Sequence, residues 1–161
     1  DSKHAYQHKN VFKALRKADY IIITPGDLFT SIISNFVIGG VKEVIHKSDA
    51  KIIYIGNSTN KGGETQGLTH LDIIYKIERF LGKKINIFIC NNRKLKLTIE
   101  QKQSFQGNIS VKGGDYLYLS KGERDELERR KIKVYETSLI DEKTFYKHNK
   151  RALVDILEKI L

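Results

Sequence analysis

Short, wholly apolar runs alternate along the chain with longer stretches in which apolar residues recur every three to four positions. Tyr20 to Ile23 is apolar throughout, and Lys51 to Gly56 carries Ile52, Ile53 and Ile55. Ile85 to Cys90 and Ile132 to Glu136 have the same character. Runs of this length without polar alternation fit strands of a parallel sheet covered on both faces. Between them lie helical patterns. Val11, Leu15 and Ala18 share one face, and Leu28 to Val37 forms a second helix that Gly39-Gly40 interrupts before Val41, Val44 and Ile45. Leu71, Ile74, Ile77, Glu78 and Leu81 describe an amphipathic helix closed by Gly82. Glu123 to Arg130 and Asn149 to Leu161 complete the set, with Leu153, Ile156, Leu157 and Ile160 lining one face of the last. This alternation predicts βαβ units with right-handed crossovers: an α/β layer structure around a mostly parallel sheet. The chain, 1–161, reads as one α/β domain or domain fragment, with a less regular excursion around 95–118.

Composition narrows the class. At 161 residues with 40% hydrophobic content, the chain can bury a substantial core. No apolar run approaches the ~20 residues that span a bilayer, and no signal-peptide pattern opens the chain, so membrane insertion is not expected. Cys90 is the only cysteine, which excludes an internal disulfide framework and fits the cytoplasm. The chain begins Asp1-Ser2-Lys3 and contains no methionine, as a processed chain or a fragment would.

The formal net charge of +10 favours phosphate-bearing or polyanionic partners. The basic residues are nevertheless dispersed and interrupted by acids. Arg124-Asp125-Glu126-Leu127-Glu128-Arg129-Arg130-Lys131 reads as a solvated helix face rather than a nucleic-acid contact. Basic–aromatic repeats, zinc-finger spacings and recognition-helix patterns are lacking. Specific nucleic-acid binding is therefore not expected, although a basic binding module stays as an alternative.

In open parallel sheets ligands sit beyond the carboxyl ends of the strands. Those ends carry Thr24-Pro25-Gly26-Asp27, Asn57-Ser58-Thr59-Asn60 and Asn91-Asn92-Arg93, all polar. Gly26 allows close approach to the backbone. The turn after it opens a helix whose first N–H groups suit an anion, with Thr30 and Ser31 as hydroxyl donors. Asn57 and Asn91 can each donate and accept, as a ribose, base or sugar requires. The loop Lys61 to Thr69 holds three glycines, and Glu64 in it suits a hydroxyl or a divalent cation. Plainer readings stand beside these. Asp27 suits a helix cap, and Thr69 with Asp72 resembles a capping box. His70 lies near enough to the predicted site to reach a phosphate. His46 suits a helix end, and Cys90 suits a small buried residue. Neither the G-x-G-x-x-G nor the G-x-x-x-x-G-K-[ST] spacing is present, and no metal-ligand spacing appears among the histidines.

Taken together, several segments resemble one family. Tyr20 to Asn35, with Pro25-Gly26-Asp27-Leu28-Phe29-Thr30-Ser31, resembles a P-G-S-L-Y-T-S-I-x-P-N segment. Asn57 followed by Gly63-Glu64-Thr65-Gln66-Gly67-Leu68-Thr69 resembles an N…G-E-T-D-G-x-T loop. Glu78-Arg79-Phe80-Leu81-Gly82 with Ile85 to Asn91 is similar to the helix and strand that come next in that family. Tyr146-Lys147-His148-Asn149 resembles R-H-D-P. These are features of the bacterial gluconeogenesis-factor family and, more distantly, of the 2-phospho-L-lactate transferase of coenzyme F420 synthesis. The resemblance implies a Rossmann-like, three-layer α/β domain matching the second half of a longer chain, because the family's opening strand and G-G-T-G loop have no counterpart here. With the strand-end reading, the expected ligand contacts are Pro25, Gly26, Asp27, Thr30, Ser31, Asn35, Asn57, Gly63, Glu64, Thr65 and Asn91. The gluconeogenesis-factor branch implies nucleotide or nucleotide-sugar (UDP-sugar) binding and regulation of carbon metabolism and of cell shape through wall growth. The transferase branch implies a Mg²⁺-dependent transfer of a phospholactyl group from a guanosine diphospho-lactate donor to a deazaflavin. The first branch is the preferred reading and the second its alternative. Whether the protein is an enzyme, and whether it forms a homo-oligomer, are left open. Asp27, Ser34, Gln66, Ile73 and Asn149 depart from the family's serine, proline, aspartate, histidine and aspartate at those positions.

Overall fold

The computed structural model describes residues 9–107 and 115–161. Four strands, β1 (Tyr20–Ile23), β2 (Lys51–Ile55), β3 (Ile87–Asn91) and β4 (Lys133–Thr137), form one sheet in sequence order. Every pairing is parallel, with Ile22 beside Ile53, Tyr54 beside Phe88, and Cys90 beside Glu136. The sheet lies between two layers of helices, which is the α/β architecture that the apolar runs predict.

One face of the sheet packs on most of the helices. These are α1 (Lys9–Lys17), a π-helical turn (Leu28–Ile33) continuing into α2 (Ser34–Phe36), α3 (Val41–Lys47), α4 (His70–Leu81) and α6 (Lys121–Arg129). Ile52, Tyr54, Phe88 and Cys90 point into this layer, against Leu28, Ile45, Ile74, Ile77 and Leu127. On the opposite face Ile53, Ile55, Ile87 and Ile89 meet, among the described residues, one helix, α7 (Lys150–Glu158), through Leu153, Ile156 and Leu157, with Ile160 just beyond it. β2 and β3 are apolar at nearly every position because both their faces are sealed.

Local chemistry fixes the helix ends. Thr69 and Asp72 form a reciprocal capping box at the start of α4, and Ser120 with Glu123 forms another on α6. Gly82 ends α4 at φ 73°, a left-handed conformation that costs glycine little, and its carbonyl meets His46 Nδ1 at 3.0 Å. The turn after Asp27 is wider than an α-helix because the Asp27 carbonyl accepts from both Ser31 and Ile32, at 2.9 and 3.0 Å.

Three expectations need adjustment. The third strand begins at Ile87, because Asn86 is engaged at the strand start, where its side chain accepts from the Ile52 N–H at 2.8 Å. The excursion over 95–118 contains a helix, α5 (Ile99–Gly107); 108–114 lie outside the described residues. The excursion returns by a bridge between Tyr116 and Thr59. The charged stretch of α6 is only partly solvated: Leu127 and Glu123 are buried, and Arg130 pairs with Glu78 while stacking over Tyr75 at 4.5 Å. Among the described residues no single helix is long and apolar enough to cross a membrane. The bent pair Leu28–Phe36 and Val41–Lys47 that approaches such a length turns Leu28, Ile32, Ile33 and Ile45 into the core.

Gly56, at the end of β2, shows how tightly the strand ends are packed. A Cβ there would meet Phe88 Cε2 at 2.8 Å and His70 Cε1 at 3.3 Å. Both rings are buried and cannot swing away. Gly56→Ala is expected to destabilise the domain by about 1–3 kcal/mol through overpacking, read as a lower urea midpoint at unchanged slope.

Candidate functional site

The carboxyl ends of β1 and β2 carry loops that lock together. Asn57 faces Gly26 with its whole side-chain amide. Its Oδ1 accepts from the Gly26 N–H at 3.1 Å, and its Nδ2 donates to the Gly26 carbonyl at 2.9 Å. Lys61 Nζ then reaches back to Asp27 Oδ2 at 2.8 Å, and this bond raises the lysine pKa above its ordinary value. Glu64 Oε1 accepts from the Phe29 N–H at 3.1 Å. The turn carrying these groups is closed on itself, because the Lys61 N–H donates to Thr65 Oγ1 at 2.9 Å and the Thr65 N–H to the Lys61 carbonyl at 2.9 Å.

Together with the segment before α7, these loops enclose a cleft of about 370 Å³. Pro25, Gly26, Asp27, Asn57, Glu64 and Thr65, all expected from the sequence, line it. So do Lys61, Lys147 and His148. The histidine is anchored: Nε2 lies 3.1 Å from the Gly56 carbonyl and 3.4 Å from Ser58 Oγ. Burial lowers its pKa, so the ring is neutral near pH 7 with its proton on Nε2 facing that carbonyl. Lys147 is exposed, with its ammonium 6.0 Å from the Tyr146 ring centre. Lys147 and His148 are absent from the residues expected to touch ligand. The signal for them was the stretch Tyr146-Lys147-His148-Asn149, whose function the sequence pattern alone does not reveal because it lies about ninety positions from Asn57.

The remaining candidates lie elsewhere. Ser31 and Asn35 line a separate cavity of about 290 Å³ on the β1 side of the same loop. The Thr30 carbonyl accepts from Ser34 Oγ at 2.7 Å, and Asn35 Nδ2 donates to the Ser31 carbonyl. Gly63 supplies a left-handed turn at φ 78°. Asn91 is buried at the end of β3, where its amide holds the Arg93 backbone at 2.9 and 3.2 Å and the Leu139 N–H at 3.1 Å. Arg93 pairs with Glu142 rather than reaching the cleft.

Several sequence expectations are corrected by this geometry. Asp27 makes no side-chain cap, because its carboxylate is turned to Lys61. The turn after Gly26 does not present a row of free N–H groups to an anion: the Gly26 and Phe29 donors are taken by Asn57 and Glu64. His70 cannot reach a ligand phosphate, because it is 1% exposed, beneath Gly56 and edge-on to Phe88 with ring centres 5.1 Å apart. Cys90 is buried as expected, and burial raises its pKa to about 12, which leaves it an inert thiol.

Two outcomes test this geometry. Asn57→Ala would strip both partners from the Gly26 peptide groups and is expected to cost about 1–3 kcal/mol, with faster amide exchange at Gly26. His70 carries a pH signature. Burial lowers its pKa from 6.5 to about 4, while Glu123, the Leu117 backbone and Glu136 oppose that shift only weakly. Between those values the unfolded chain binds a proton that the folded chain excludes. Stability is therefore full above pH 6.5 and falls, by roughly 3 kcal/mol, as pH drops toward 4. Urea midpoints across this range and up to about pH 7 should fall more steeply on acidification for the natural chain than for His70→Gln.

Comparison with known proteins gives consistent results. The family model described as 2-phospho-L-lactate transferase CofD matches residues 1–140. A protein of Thermotoga maritima carrying the gluconeogenesis-factor name is 38% identical over 101 residues, covering 63% of this chain and 32% of its own. A protein of the same name from Aquifex aeolicus is 29% identical across 100% of this chain and 47% of its own. The chain thus spans less than half the length of these relatives. A crystal structure of a UPF0052 family member from Bacillus halodurans superposes with a TM-score of 0.80 at 22% identity, over 97% of this chain and 48% of that one. At that identity the likeness speaks for the fold alone.

Proposed function

We propose, starting from the fact that the chain belongs to the CofD family, which includes the gluconeogenesis-factor branch, that the cleft binds the phosphate-bearing part of a nucleotide derivative. The observation that carries this reading is the convergence of Lys61, Lys147 and His148 on one cleft beside Asn57. Lys147 offers a charge to phosphoryl oxygens without a carboxylate partner among the described residues. Lys61 can exchange Asp27 for a ligand phosphate. The neutral imidazole of His148 adds a hydrogen-bonding group beside these cations. Asn57 and Thr65 are committed to shaping the wall, and Pro25 and Gly26 let a ligand approach the backbone closely. The ligand class is a nucleoside diphosphate carrying a second group, such as a sugar or a lactyl ester.

Once the ligand is bound, two outcomes are supported by different observations. The family model, matched over residues 1–140, favours transfer of a phosphorus-containing group from a guanosine diphospho-lactate donor. Such transfer in this family implies Mg²⁺. The residues present do not fit that ion: the two carboxylates on the cleft, Asp27 and Glu64, are engaged by Lys61 and the Phe29 N–H, and Asp72 is held in the α4 capping box. No group of three His, Cys, Asp or Glu is placed to hold a metal among the described residues. The second reading is a nucleotide-sugar-binding regulator of carbon metabolism and cell-wall growth; the names of the relatives, gluconeogenesis factor, support its carbon-metabolism part alone.

Titration calorimetry of the full-length protein with a UDP-sugar and with GDP tests the shared premise. Saturable heat is expected with at least one of them, and no heat with either would refute the reading. Lys147→Ala is expected to weaken that binding by about 1.5–3 kcal/mol, the worth of a hydrogen bond to a charged group. Mg²⁺-dependent consumption of a guanosine diphospho-lactate donor with a deazaflavin acceptor would decide for the transferase; binding without turnover would decide for the regulator.

A further inference from the structure

Two non-glycine residues among those described hold positive φ, Lys131 at 58° and Phe145 at 64°. Lys131 comes just after the end of α6, a place where helices commonly turn left-handed. Phe145 follows no helix. It lies in the segment between β4 and α7, two residues before Lys147. A bulky side chain disfavours that conformation, which persists only where surrounding bonds impose it.

Those bonds come from two directions. Inside the segment, the Phe145 N–H donates to the Asp141 carbonyl at 2.9 Å. Asp141 Oδ1 in turn accepts from the Thr144 N–H at 2.9 Å and from Thr144 Oγ1 at 3.0 Å. The second bond comes from the excursion over 95–118: the Tyr116 hydroxyl donates to the Phe145 carbonyl at 2.8 Å. Burial pushes the Tyr116 phenol up to about 12, so it keeps the proton it donates.

Tyr116 is itself fixed. Its ring stacks on Phe105 of α5 with centres 4.8 Å apart, and Phe105 is buried. Its backbone bridges to Thr59. On either side of that bridge the Leu117 N–H donates to the Ser58 carbonyl and the Asn60 N–H to the Asp115 carbonyl, both at 2.9 Å. Ser58 and Thr59 line the cleft, as do Tyr146, Lys147 and His148. Tyr116 therefore joins one wall of the cleft to the segment that forms the other. Beyond Phe145 the chain doubles back: His148 bridges to Ile140, and the Asp141 N–H donates to the Lys147 carbonyl at 2.9 Å. The direction the chain takes at Phe145 thus sets where the Lys147 backbone lies.

We propose that Tyr116 is a positioning residue of the cleft: its hydroxyl holds Phe145 left-handed, and that turn brings Lys147 to the phosphate of a bound nucleotide. The proposal deepens the nucleotide-binding reading and rests on it for the ligand. It also gives the excursion a task, since α5 braces the Tyr116 ring through Phe105.

The test uses the full-length protein. Tyr116→Phe removes the hydroxyl and keeps the ring on Phe105. Tyr118→Phe, with its ring centre 6.2 Å from that of Tyr116, is the control. In the ligand-free protein Tyr116→Phe is expected to speed amide exchange at Asp141, Phe145 and Asn149 about tenfold, with the β2 and β3 amides unchanged. Affinity for whichever of GDP and a UDP-sugar gives saturable heat is expected to fall about three- to tenfold. Adding Phe145→Asn, a residue that tolerates the left-handed conformation, is expected to restore both values at least in part. A hydroxyl that served only general stability would allow no such rescue. Unchanged exchange overturns the proposal, as does exchange that rises equally in β2 and β3. So does the same response to Tyr118→Phe, or a failure of Phe145→Asn to rescue. Local exchange that rises while affinity holds also overturns it and leaves the ligand reading standing. A natural protein that binds neither nucleotide overturns both, whatever the exchange rates, so the two failures are distinct.

Discussion

The amide of Asn57 grips both polar backbone groups of Gly26, and the arrangement of the strand ends depends on that grip. β1 is four residues long and, among the described residues, has a neighbouring strand on one side only. The chain leaving it must turn at once to deliver Leu28, Ile32, Ile33 and Phe36 into the core. Without a partner the Gly26 N–H and carbonyl would leave this half-buried turn unsatisfied, at a cost comparable to the net worth of several ordinary hydrogen bonds. Asn57 supplies both from the neighbouring strand. The same contact holds the β1 and β2 loops at a fixed spacing, and only at that spacing can Lys61 reach Asp27 and Glu64 reach Phe29.

The elements were legible because their signals are local. Isoleucine-rich runs mark β1, β2 and β3, and the Thr69–Asp72 and Gly82 caps mark both ends of α4. Even the closing helix was visible from Leu153, Ile156 and Leu157. The site was legible in location and less so in direction. Asn57, Asn91 and Asp27 stand at strand ends in the sequence, yet which way each side chain turns depends on groups far along the chain. Asn91 turns to Leu139, Asp27 to Lys61, and Asn57 to Gly26. His70 misled for a related reason. A histidine opening a helix beside a glycine-rich loop has the pattern of a ligand residue, and only the packing of Phe88 and Gly56 against it puts it in the core.

The cleft joins opposite requirements at close quarters. Lys61 and Asp27 neutralise one another in the free protein, so a polyanionic ligand would have to compete with Asp27 for Lys61 and would meet the charge of Glu64 nearby. Such competition would weaken indiscriminate phosphate binding and favour a ligand whose other groups add contacts. Lys147 stands apart from this internal balance, on the segment that enters α7. Among the described residues α7 alone packs on its face of the sheet, and no residue within its span is fully buried. Lys147 and His148 are tied to the sheet rather than to α7: the Asp141 N–H donates to the Lys147 carbonyl at 2.9 Å, and His148 is anchored to the Gly56 carbonyl at 3.1 Å, so the Lys147 ammonium moves on its own side chain.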